Sequence, residues 1–162
     1  LNDIRGRVWK FGDNINTDNM SPARYTFSIN EVAKHCLEAV RPEFCQEARK
    51  GDIVLGGENF GTGSSRETAA AALKEMGIAL VIAKSYARIF FRNCIDIGLP
   101  AVMGPGLYDS IDDGDIVRGS LTEGKITNES KNRTFRTEPL PQKMMAILEA
   151  GGLINYAIKE KW

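Results

Sequence analysis

Apolar and polar positions alternate over RVWKF at 7–11 and predict a strand. The stretch 12–25, GDNINTDNMSPARY, is crowded with Gly, Asn, Asp, Ser and Pro and predicts a long loop. Helical spacing begins after Ser28: Ile29, Val32, Ala33, Cys36, Leu37 and Val40 form one apolar stripe, so a helix is predicted over 29–40, ended by Arg41-Pro42. Residues 42–50 predict a short helix or turn.

The middle of the chain is more regular. It predicts strands over 52–57, 78–84 and 99–103, separated by helices over 64–76 and 86–97, with Gly77 and Gly98 where helix C-caps are wanted. A strand–helix–strand–helix–strand order implies parallel strands joined by right-handed crossovers. Further on, IVRGSL, KITN and RTFRTE are short alternating stretches that predict a small antiparallel meander packed beside the α/β unit. Helices over 139–150 and 153–159, divided by Gly151-Gly152, close the pattern. The fold class is α/β. Without repeats, low-complexity segments or linkers, residues 1–162 are expected to form one domain.

Composition narrows the function classes. Twenty-one Lys plus Arg balance twenty-one Asp plus Glu, so no overall field favours nucleic acid or an anionic membrane surface. The apolar run IALVIA at 78–83 is strand-sized, and LNDIRGRVWKF lacks a signal-like apolar segment, so the expectation is a cytoplasmic protein. Cys36, Cys45 and Cys94 are odd in number and not closely paired, and His35 is the single histidine. A disulfide framework and a metal site within this chain are both unexpected.

Candidate chemistry gathers in GENFGTGSSRE, residues 57–67. One reading is structural: Ser64 and Glu67 have the spacing of a capping box that starts the 64–76 helix. The other is a ligand site. Gly61 and Gly63 permit close backbone approach, and Arg66 is a cation in a first helical turn, where the macrodipole disfavours it unless an anion is near. A helix start at the end of a parallel strand is where open α/β sheets bind ligands, and a carboxylate gripped by Arg66 fits there. The P-loop and dinucleotide patterns fail, because Arg66 stands where the latter needs a third glycine. A serine-hydrolase triad is also unsupported, since GxSxG is missing.

Taken together, NTDNMSPARY (16–25), GENFGTGSSRE (57–67) and AKSYARIFFRNCIDIGLP (83–100) resemble the small subunits of the 3-isopropylmalate dehydratase and homoaconitase group. These are separate-chain versions of the mobile C-terminal domain of aconitase. The resemblance implies a swivelling β/β/α domain that closes over a large subunit carrying a [4Fe-4S] cluster. It implies that Ser64 takes the proton from substrate carbon, that Ser65 hydrogen-bonds beside it, that Arg66 binds a substrate carboxylate, and that Asp18 belongs to the active-site wall. The glycine-rich backbone of Gly61, Thr62 and Gly63 would supply N–H donors. On spacing alone, Asp18 reads as an Asx turn in a Pro-containing loop, and it is the resemblance that favours the active-site wall. Lys84, Arg88 and Arg92 also lie in matching sequence, with packing, ion pairing and partner contact as their expected roles.

Homoaconitase-like members carry an arginine at the position matched by Phe27, for an additional carboxylate. An aromatic ring instead suits a hydrocarbon substituent, which points to 3-isopropylmalate or another alkylated malate such as dimethylmalate. Against that, Phe27 reads as a staple for the following helix, and Arg24 is near enough in sequence to reach a carboxylate. Thr62, where many members have cysteine, and Ser21-Pro22-Ala23 depart from common family versions. The alternatives are a homoaconitase or dimethylmalate dehydratase small subunit, or, in a different class, a stand-alone carboxylate-binding or regulatory module. Self-association of the isolated chain is a further expectation.

Overall fold

The computed structural model describes residues 3–25, 27–64, 66–104 and 106–161. Its strands are β1 (Ile4–Lys10), β2 (Ile53–Gly56), β3 (Leu80–Ala83), β4 (Ala101–Met103), β5 (Ile116–Ser120), β6 (Lys125–Asn128) and β7 (Arg133–Arg136). They form one sheet in the order β4-β3-β2-β1-β5-β6-β7. The meander lies beside the α/β unit and joins it edge to edge through β5, so the two form one continuous sheet. β1 is the junction: Val8–Lys10 pair in parallel with Ile53–Leu55, while Ile4–Arg7 pair antiparallel with Ile116–Gly119.

The helices are α1 (Thr17–Met20), α2 (Ile29–Lys34), α3 (Pro42–Glu47), α4 (Glu67–Glu75), α5 (Arg88–Asp96), α6 (Gln142–Ala150) and α7 (Leu153–Lys159). Both faces of the parallel half are covered, which explains why its strands are continuously apolar. Trp9, Val54, Val81 and Ala101 face a core with Phe44, Leu73, Phe90 and Cys94. Their neighbours Val8, Ile53, Leu55, Leu80, Ile82 and Val102 face a second core with Ile95, Ile147 and Leu148.

Two predicted elements differ. The 12–25 loop contains α1, begun by Asn16, whose side chain accepts from the Asn19 N–H at 2.8 Å, and a 3-10 turn at Ala23–Tyr25. The 29–40 helix stops at Lys34, and Leu37 has φ +58°. Cys36 and Leu37 remain fully buried, so the apolar stripe outlasts the helix that suggested it.

Candidate active site

The three stretches that carry the family resemblance follow β1, β2 and β3, and the backbone zips them together beyond the C-terminal ends of those strands. Gly61 N donates to Ile15 O at 2.8 Å and Thr17 N to Thr62 O at 2.9 Å. The Thr17 hydroxyl donates to Ser64 O at 2.6 Å. On the other side, Phe60 N donates to Ser85 O at 3.0 Å and Ala87 N to Phe60 O at 2.9 Å. Gly61 is obligatory in this arrangement: its φ is +85°, and a Cβ there would lie 2.1 Å from Phe90 Cγ.

Glu67, not Ser64, is the first helical residue of α4, and the N-cap Arg66 makes no side-chain capping bond. The capping box does not form because tertiary partners claim its serine. Ser64 Oγ donates to Asp18 Oδ1 at 3.1 Å and accepts from Arg66 Nε at 3.1 Å. Arg66 Nε also lies 2.9 Å from Asp18 Oδ1, and its Nη1 donates to Ser21 O at 3.1 Å. Asp18 offsets a cation that the start of α4 disfavours. Asn16 does the capping of α1, which leaves the Asp18 carboxylate free for this cluster, with its side chain 60% exposed.

A cavity of about 290 Å³ opens here, lined by Thr17, Gly61, Gly63, Ser64, Arg66 and, from the start of α5, Ala87, Arg88, Ile89, Phe90 and Asn93. This size is at the small end for ligand pockets, enough for a compact acid. A second hollow, about 440 Å³, is lined by Asp18, Asn19, Pro22, Ala23, Arg24, Tyr25, Glu38 and Ala39. Asp18 lines this second hollow together with Arg24, and its carboxylate meets Ser64 and Arg66, which line the first. Thr62 joins Asn16 in a parallel bridge, so its contribution is to backbone placement. Phe27 is 83% exposed and lines neither cavity. Ser65 lies outside the described residues. Sequence reasoning missed Thr17, Ile89 and Asn93 as cavity residues and set Arg88 aside. The usable signal was the strand order, which makes the loops after β2 and β3 neighbours.

A serine hydroxyl is thus held between a carboxylate and a guanidinium, beside a small cavity at the C-terminal ends of parallel strands in an α/β domain. The family model for the aconitase C-terminal domain matches residues 12–103. The homoaconitase small subunit of Methanothermobacter thermautotrophicus is 51% identical over 158 residues, covering 96% of this chain and 91% of that one. The 3-isopropylmalate dehydratase small subunit of Aquifex aeolicus is 51% identical over 161 residues, covering 98% and 95%. In three dimensions, the crystal structure of 3-isopropylmalate dehydratase from Methanocaldococcus jannaschii superposes with a TM-score of 0.93 at 43% identity, covering 98% of this chain and 95% of that one. The chain belongs to the aconitase C-terminal domain family and, within it, to the small subunits of the 3-isopropylmalate dehydratase and homoaconitase group, which are hydro-lyases.

The donors of this chain do not fit an iron–sulfur cluster, which requires converging thiolates. Cys36 and Cys94 are fully buried, and burial pushes both thiols far above their ordinary range. Burial, then the charge of Glu38, also raises Cys45. Among the described residues, no group of three or more His, Cys, Asp or Glu is placed to hold a metal ion. No described helix is long and apolar enough to cross a membrane.

Proposed function

We propose that this chain is the small subunit of a 3-isopropylmalate dehydratase, a two-chain hydro-lyase that interconverts 2- and 3-isopropylmalate, with Ser64 as the base that takes the proton from substrate carbon. The observation that carries this reading is the Ser64 hydroxyl held between Asp18 and Arg66 on the wall of an open cavity. A serine hydroxyl is a weak base, so it needs an acceptor for its own proton and a positive group beside the oxygen. Asp18 Oδ1 is the acceptor, and Arg66 Nε is the donor that meets negative charge as it develops on Oγ. The outer nitrogen Nη2 of Arg66 remains for a substrate carboxylate. Ser65 is the neighbouring hydrogen-bond partner. Gly61 and Gly63 let substrate approach the loop backbone.

The cluster required by this family belongs, in this reading, to a large subunit that covers the cavity. Residues 1–162 act as one cytoplasmic swivel domain in that complex. Phe27 favours a hydrocarbon-bearing substrate over a tricarboxylate. Arg24, on the hollow shared with Asp18, supports the second reading, a homoaconitase small subunit.

The deciding experiment reconstitutes the chain with its large subunit and compares wild type with Ser64→Ala on 3-isopropylmalate, dimethylmalate and homocitrate. Loss of the base is expected to lower kcat by roughly 10²- to 10⁴-fold, with assembly unchanged. A loss of less than about tenfold would relegate Ser64 to organising the loop.

A further inference from the structure

The cavity beside Ser64 has two walls, and only one is explained by the chemistry above. The loop wall carries Ser64 and Arg66, but much of the Arg66 guanidinium is already committed to Asp18, Ser64 and Ser21. The other wall is the first turn of α5, with Arg88, Ile89 and Asn93. Arg88 is exposed and has no hydrogen bond or ion pair among the described residues. It stands at the first position of a helix, where the macrodipole disfavours a cation. A free guanidinium on a cavity wall has the fork geometry that grips a carboxylate through two nitrogens. Beside it, Ile89 leaves a branched hydrocarbon side chain 56% exposed on the same wall.

We infer that Arg88 and Ile89 form the second half of the substrate-recognition surface: Arg88 pairs with one carboxylate of a branched hydroxy-dicarboxylate, and Ile89 packs against its hydrocarbon branch. This rests on the reading of Ser64 as the base, because the acid must lie against Ser64 to be held by both walls. It deepens that reading by asking for two features on one substrate, a carboxylate remote from Arg66 and an apolar branch. A compact acid bound only through Arg66 would leave the α5 wall unused.

The test uses the reconstituted two-chain enzyme with Arg88→Ala, Arg88→Lys and Ile89→Ala, all at exposed positions where folding is not at stake. Arg88→Ala is expected to lower kcat/KM roughly 10- to 100-fold, mainly through KM, with the Kd between subunits unchanged. Arg88→Lys recovers only part of this loss, since an ammonium cannot grip in the same fork. Ile89→Ala lowers kcat/KM for the isopropyl-bearing acid relative to unsubstituted malate by roughly tenfold or more, whereas Arg88→Ala lowers both alike. The inference is overturned if the variants weaken subunit association and regain wild-type kcat/KM at saturating large subunit, because the α5 wall then belongs to the protein interface. An active wild-type complex whose variants are indistinguishable from it overturns this inference alone. A wild-type complex inactive on every hydroxyacid tested overturns the functional reading, and this inference with it.

Discussion

Phe27 stands 83% exposed just beyond the 3-10 turn at Ala23–Tyr25, so within this chain its ring gains little from burial. The expected gain comes when an alkyl-bearing substrate meets the ring inside the assembled enzyme. Phe27→Arg exchanges that apolar contact for a cation and is predicted to raise preference for a tricarboxylate over an alkylmalate by roughly 10- to 100-fold. Competing-substrate turnover on homocitrate and 3-isopropylmalate measures the ratio, and an unchanged ratio would remove Phe27 from substrate choice. That Ser64 and Arg66 converge on one spot was legible in sequence because GSSRE sets them two residues apart in a glycine-rich loop. The contacts of Asp18 were only half legible. An Asx turn and a carboxylate held in a tertiary contact look alike along the chain, and the fold separates them by giving the capping bond to Asn16 and the Asp18 carboxylate to Ser64 and Arg66. The capping box was misread for a related reason: local spacing says what a serine is able to do, while a tertiary contact 46 residues away decided what it does.

Among the elements, the parallel βαβαβ unit was the most legible part, because strands buried on both faces leave unmistakable apolar runs between capped helices. The end of α2 was not, since Cys36 and Leu37 fill the same core after the backbone has left the helix. Nor was the clamp that holds the start of α3 against the turn before β5. Arg41, the N-cap of α3, donates from both terminal nitrogens to Asp113 at 2.6 and 2.7 Å and from Nε to Glu43 at 2.7 Å. Hydrogen bonding from Arg41 holds the Asp113 carboxyl below its ordinary range, with burial opposing and the Lys10 N–H assisting. A depressed folded-state pKa stabilises above the unfolded value of about 4, and the contribution disappears as pH falls through the folded value. Asp113→Asn is therefore predicted to be less stable than wild type at pH 7, with the gap closing below about pH 4. Denaturant titrations at a series of pH values measure this directly, and a gap independent of pH would place the stabilisation in packing rather than in the ion pair.

At the scale of the whole molecule, the chain brings a serine hydroxyl, a carboxylate and a guanidinium together but has no converging set of thiolates. The free cysteines are dispersed, and the most buried of them are held in the protonated form. With Asp18 and Ser64 open to solvent, the site also lacks the water exclusion that strengthens electrostatic catalysis. In the proposed reading, one cluster-bearing chain that closes over the cavity supplies both. The isolated chain, incubated anaerobically with ferrous iron and sulfide and then desalted, is predicted to retain no iron and to show no cluster absorption. The chain captured from its native extract under anaerobic conditions is predicted to bring an iron-bearing partner with it, and the captured complex to dehydrate an alkylmalate. Stoichiometric iron on the isolated chain, lost when its cysteines are replaced, would move the cluster into this subunit. Capture without an iron-bearing partner, from an extract shown to contain one, would favour a stand-alone carboxylate-binding module built on the same loop.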